Sequence, residues 1–193
     1  MGQNIEIEFK NLLQKDEFER ISEHFGLLED SFKKQVNHYF DTQEFSLKDK
    51  GSALRIREKG GQSILTLKQP HEEGLLETDQ LLSQKEAEAV LEEGALPAGR
   101  VAVEIGKLGV NVSDLSYFGT LATTRAELPY QNGLLVLDHS TYLDTEDYEL
   151  EYEAAEYSEG KQTFETLLHQ LGIPERQTPN KIRRFYTRKQ ELK

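Results

Sequence analysis

The chain has no cysteine and no tryptophan. The first absence excludes disulfides, thiolate metal sites and cysteine nucleophiles together. The second removes the strongest stacking side chain, and with it the readiest grip on a flat organic ring. Five histidines, at positions 24, 38, 71, 139 and 169, form no ligand-spaced pair, which argues against a zinc hydrolase. No Walker A loop occurs, so a P-loop mechanism is not in play. No apolar run approaches membrane-spanning length. Met1-Gly2-Gln3-Asn4 opens no basic and apolar leader, and Glu6 breaks the myristoylation pattern. The expected setting is the cytoplasm, with no membrane partner.

Basic charge is also in deficit. Lys and Arg number 23 against 35 Asp and Glu, a net charge of −12. So acidic a surface repels phosphate backbones, which excludes nucleic acid as a general partner. A phosphorylated ligand would need basic side chains concentrated locally, enough to outweigh the global field. The 193 residues suffice for one domain with its own core. No low-complexity linker divides them, and the expectation is a single domain over 1–193.

Residues 4–10 alternate strictly and read as a strand. Phe18, Ile21 and Phe25 lie at helical spacing within 16–25, and Gly26 stops that run. Strands are expected at 34–40 and 53–59, with Gly60-Gly61 turning into another at 63–69 that Pro70 ends. Residues 75–82 are extended. Ser83-Gln84-Lys85-Glu86 fits a capping box opening a helix that stops near Gly94. Short helices are expected within 95–120. Asn132-Gly133 is the best hairpin signal in the chain and joins strands 121–130 and 134–141. One more strand follows at 147–155. A helix at 159–171 puts Phe164, Leu167, Leu168 and Leu171 on one face, closed by Gly172 and Pro174. A basic tail, 181–189, comes last. The pattern is about eight strands with a few helices, and faintly a duplicated unit.

Alternate side chains of a strand point to opposite faces. Sorted by parity, Glu6, Glu8 and Lys10 oppose Ile5, Ile7 and Phe9, while Arg55, Arg57 and Lys59 oppose Leu54 and Ile56. Thr66 and Lys68 oppose Leu65 and Leu67, and Glu77 and Asp79 oppose Leu76 and Thr78. Arg125 shares a face with Glu127, and Glu149, Glu151 and Glu153 share another. A solvated outer face explains any one of these strands. It does not explain the set, in which some strands carry acid pairs and another an arginine pair. Arginine's fork suits phosphate oxygens. Closed into a barrel, the strands would enclose about six acids and six bases, a costly lining without a ligand. A divalent cation together with a triphosphate would satisfy both sets.

Glu6-Ile7-Glu8-Phe9-Lys10 resembles the ExExK motif of the CYTH domain, the triphosphate tunnel metalloenzyme superfamily. Arg55-Ile56-Arg57, Lys68, Glu77, Thr124-Arg125-Ala126-Glu127, Leu137-Asp138, Glu151-Tyr152-Glu153 and Asn180-Lys181 resemble its later elements in order. The resemblance implies an α+β fold: an eight-stranded antiparallel β-barrel, a tunnel, flanked by helices. It implies metal-dependent hydrolysis of a small-molecule triphosphate, with inorganic triphosphate the first choice. The implied phosphate clamp is Lys10, Arg55, Arg57, Lys68, Arg125 and Lys181, with Lys10, Arg57 and Glu8 directly catalytic. The implied ligands of Mg²⁺ or Mn²⁺ are Glu6, Glu8, Glu77, Asp138, Glu151 and Glu153. Glu149-Glu151 is an alternative second acid pair, and Arg183 or Arg184 further candidates for the ligand. Thiamine triphosphatase, class IV adenylate cyclase and a non-catalytic polyphosphate- or nucleotide-binding module remain as alternatives. Oligomeric state stays open.

Overall fold

Alternation of apolar and polar side chains becomes eight strands in the computed structural model, which describes residues 2–72 and 74–192. They are β1 (Gln3–Leu13), β2 (Lys33–Thr42), β3 (Ala53–Lys59), β4 (Gln62–His71), β5 (Gly74–Leu82), β6 (Leu115–Tyr130), β7 (Gly133–Tyr142) and β8 (Thr145–Ala154). The helices are α1 (Lys15–His24), α2 (Ser46–Asp49), α3 (Gln84–Glu93), α4 (Arg100–Lys107), α5 (Tyr157–Gln170) and α6 (Lys181–Glu191). The sheet closes in the order β1-β5-β4-β3-β2-β6-β7-β8, an antiparallel barrel in an α+β fold. Among the described residues no helix is long and apolar enough to cross a membrane.

The chain divides into two compact units. In the first, Met1–Ile5 with Gln35–Leu121, Phe40, Leu54, Ile56, Leu65, Leu67 and Leu82 form one apolar face of the strands. That face packs on Leu47 of α2, Ala87 and Val90 of α3, and Val101 and Ile105 of α4. Each Val, Leu, Ile or Phe side chain among them contributes roughly 1.5–3 kcal/mol when fully buried. The capping box at Ser83 forms as expected, and Gly94 ends α3 at φ 69°, where a side chain would be strained.

In the second unit, Glu6–Lys34 with Ala122–Lys193, the apolar face is Leu13, Leu135, Leu137, Leu150 and Tyr152. It packs on Ile21 of α1, Phe164, Leu167 and Leu168 of α5, and Ile173. In each unit the opposite strand face carries the charges. The apolar faces are covered from outside by α1, α2, α3, α4 and α5, so in a closed barrel the charged faces are the lining.

Four details differ from the expectation. Pro70 does not end its strand; β4 runs to His71 with Pro70 opposite Leu75. A proline this close to the strand's end costs one donor and leaves the rest of the ladder intact. β6 begins at Leu115, because Gly119 had disguised the alternation of 115–120. The turn is Gln131-Asn132, with Gln131 at φ 50° and Gly133 already in β7. Gly133 serves close approach instead: a Cβ there would lie 2.3 Å from the Glu153 carbonyl oxygen and 2.7 Å from the Tyr152 hydroxyl. The basic tail is the helix α6, capped by Asn180, whose side chain accepts from the Arg183 amide. Its buried stripe, Ile182, Phe185 and Tyr186, has helical spacing hidden among charges.

Candidate active site

In the first unit, β3 and β4 align Arg55 with Thr66, and β4 and β5 align Lys68 with Glu77 and Thr66 with Asp79. Lys68 Nζ lies 2.7 Å from Glu77 and an Arg55 nitrogen 3.8 Å from it. Thr66 donates to Asp79 at 2.6 Å. Burial pushes the Glu77 carboxyl up, but Lys68, Arg55 and Arg57 together hold it below the ordinary range. Glu77 thus stays ionised and serves as counter-ion to the bases beside it. β2 adds Gln35, Asn37 and Tyr39, each at most 3% exposed, on the arginine face. Asn37 accepts from Arg57 Nε at 3.0 Å. Gln35 and Asn37 were missed because they are uncharged, yet the alternation Gln35-Val36-Asn37-His38-Tyr39-Phe40 assigns them that face.

The second unit is more densely paired. Arg125 donates through Nε and Nη2 to both oxygens of Asp138, at 2.8 and 2.7 Å, and through Nη2 to Glu151 at 2.7 Å. Lys181, at the start of α6, lies 2.8 Å from Asp138 and 3.3 Å from Glu149, and also pairs with Glu151. One turn on, Arg184 pairs with Asp147 at 2.8 Å and with Glu149. Burial works against the Arg125 and Lys181 charges, but the surrounding carboxylates more than offset it and keep both cations protonated. Burial likewise opposes the Glu151 charge, and Lys181, Arg125 and Lys10 hold it well below the usual carboxylate range. Asp138, expected among the metal ligands, lies fully buried between Arg125 and Lys181.

Glu153 faces a different neighbourhood. It stands directly opposite Glu8 across β1 and β8, while Lys10 stands opposite Glu151 and pairs with Glu8. Burial and the charge of Glu6, with Glu151 and Glu8, push the Glu153 carboxyl up to about 7. Burial also raises Glu149 to about 7. Among the described residues no three carboxylate or imidazole groups are already gathered at metal-holding distance. Glu6, Glu8 and Glu153 offer oxygen donors, the kind that a hard divalent cation takes, and like charges this close repel one another.

The three same-face glutamates of β8 therefore divide. Glu149 and Glu151 meet the cations of α6 and β6, and Glu153 meets the acids of β1. A stability consequence follows for the metal-free protein. Glu153 has a folded value near 7 against an ordinary 4.5, so folding favours its neutral form. That contribution is complete below the ordinary value and is lost as pH rises through about 7. Glu153→Gln should therefore unfold at a higher urea midpoint than wild type at pH 8 in chelator, with the gap narrowing at pH 5. A gap independent of pH would contradict the acid crowding.

A family comparison decides where this chain belongs. The CYTH domain model matches residues 4–186. The chain is a member of the CYTH domain family. YjbK of Bacillus subtilis, provisionally named a triphosphatase, is 52% identical over 99% of both chains. A solved structure from Bacillus halodurans, provisionally named an adenylate cyclase, is 47% identical. It covers 96% of this CYTH protein and 100% of its own chain with a TM-score of 0.94. HpAC1 from Hippeastrum shares the fold at 24% identity and a TM-score of 0.78, over 97% and 96% of the two chains.

Proposed function

We propose that this CYTH protein hydrolyses a triphosphate, inorganic triphosphate first among them, with Mg²⁺ or Mn²⁺. The observation that carries the reading is Arg55, Arg57 and Lys68 gathered on one sheet face inside a closed barrel. The name of YjbK, at 52% identity, supports the same class. Arg55, Arg57 and Lys68 bind phosphate oxygens and stabilise the charge that develops on the departing diphosphate. Lys10, Arg125 and Lys181 add to the clamp, with Asp138, Glu149, Glu151 and Glu77 as counter-ions that set the directions of these cations. Glu6, Glu8 and Glu153 would hold the divalent ion. When bound, such an ion neutralises phosphate oxygens and favours attack by water on the terminal phosphorus.

The name of the Bacillus halodurans relative favours a second reading, cyclisation of ATP. The test is a panel of triphosphate, ATP, thiamine triphosphate and pyrophosphate with each metal. Triphosphate should show the highest kcat/KM for phosphate release and pyrophosphate the lowest, since a chain of two phosphates makes fewer contacts with the clamp. Cyclic AMP with pyrophosphate from ATP would instead make the enzyme a cyclase. Binding without any product would leave a polyphosphate-binding module.

A further inference from the structure

The two arginines at the heart of the two units are held in chemically different ways. Arg125 Nε donates to a carboxylate, Asp138, at 2.8 Å. Arg57 Nε donates to an amide oxygen, Asn37 Oδ1, at 3.0 Å. Asn37 is 1% exposed and stands directly opposite Arg57 in the β2–β3 register, so the bond is set by strand pairing. Arginine carries only donors, so the atom facing Nε must be the amide oxygen. An aspartate would fill nearly the same volume and accept the same bond. The difference between the two side chains is one negative charge.

We infer that Asn37 is a positioning residue for Arg57, fixing the guanidinium plane through Nε without placing a negative charge at that nitrogen. The inference rests on the proposed triphosphate reading and assigns Asn37 a part in it. A rigid guanidinium loses less freedom when it meets phosphate oxygens, because its plane is already set. A carboxylate at the same place would orient the group equally well. It would also compete with the phosphates for the arginine's charge, at a short distance and in a partly buried setting where screening is weak. Asn37 thus separates orientation from neutralisation, whereas Asp138 performs both for Arg125.

This separation gives two variants opposite signatures. Asn37→Asp keeps the geometry and adds charge, so KM for triphosphate should rise roughly 10-fold or more while kcat changes less. Asn37→Ala keeps the charge and releases the guanidinium, so kcat should fall more than KM rises. Both should lose their effect in an Arg57→Ala background, because their action passes through Arg57. A merely structural role would persist in that background. The experiment is a double-mutant cycle with inorganic triphosphate as substrate, with thermal unfolding of each variant as the fold control. A wild-type protein that neither binds nor hydrolyses triphosphate overturns the triphosphatase reading, and this inference with it. An active wild type, impaired by Arg57→Ala but unchanged by either Asn37 variant, overturns this inference alone. So does an Asn37 effect of equal size with and without Arg57.

Discussion

Replacing Arg125 with alanine is expected to destabilise the fold by about 3–5 kcal/mol, the largest stability effect of any single charge in the lining. The cause lies in what remains. Arg125 is 8% exposed and Asp138 not at all, and their two-point contact at 2.8 and 2.7 Å satisfies both oxygens of a carboxylate that water does not reach. Removing one partner of a buried pair leaves the other charged and underpaired. Lys181, 2.8 Å from Asp138, remains to neutralise part of it, which places the expected cost toward the lower end. Arg125→Lys should cost less than alanine, since it keeps the charge but cannot form the paired contact. Asp138→Ala combined with Arg125→Ala should cost less than the two single changes summed, because the stranded charge is gone. Urea unfolding of the four variants measures this. An Arg125→Ala protein within 1 kcal/mol of wild type would show that the pair contributes little to the fold.

The same pair shows what could and could not be read from the sequence. Parity placed Arg55, Arg57, Lys68, Glu77, Arg125 and the β8 glutamates each on one face opposite an apolar one, and only closure into a barrel makes those faces a lining. It could not say which carboxylate meets which cation. Glu149, Glu151 and Glu153 occupy equivalent positions along one strand, and their neighbours on β1, β6 and α6 distinguish them. Asp138 is buried against Arg125 and Lys181, partners that an isolated aspartate in a sequence does not announce. The α6 helix was missed for a related reason. Lys181, Arg184 and Arg188 are i, i+3 and i+7, a helical stripe that resembles a solvated tail until Asp138, Asp147 and Asp144 are found opposite it. Asn37 is uncharged, and the alternation of β2 gives its face but not its partner. Its role depends on strand pairing, which parity within one strand does not reveal.

Arg57→Ala and Lys68→Ala are expected to lower triphosphate turnover by about 10- to 1000-fold, the range for losing one charged contact to a reacting group. Arg20→Ala and Lys33→Ala should leave it within about twofold. All four remove one positive charge from a protein whose net charge is −12, so any effect of the global field must appear in all of them equally. The local settings differ. Arg20 and Lys33 are exposed and donate to backbone carbonyls, of Leu171 at 3.4 Å and Asp30 at 2.7 Å. Lys68 lies on the lining against Glu77, and Arg57 lies there against Asn37. The two lining variants should also differ from each other. Lys68→Ala removes the cation nearest Glu77 and leaves Arg55 at 3.8 Å with the field of Arg57, so an under-compensated carboxylate would face the incoming phosphates. Its KM should therefore rise more than that of Arg57→Ala, which leaves Lys68 beside Glu77 at 2.7 Å. Steady-state kinetics with triphosphate at saturating metal separates these outcomes. A decline shared equally by lining and control variants would reduce the effect to net charge, and the phosphate clamp would have to be abandoned.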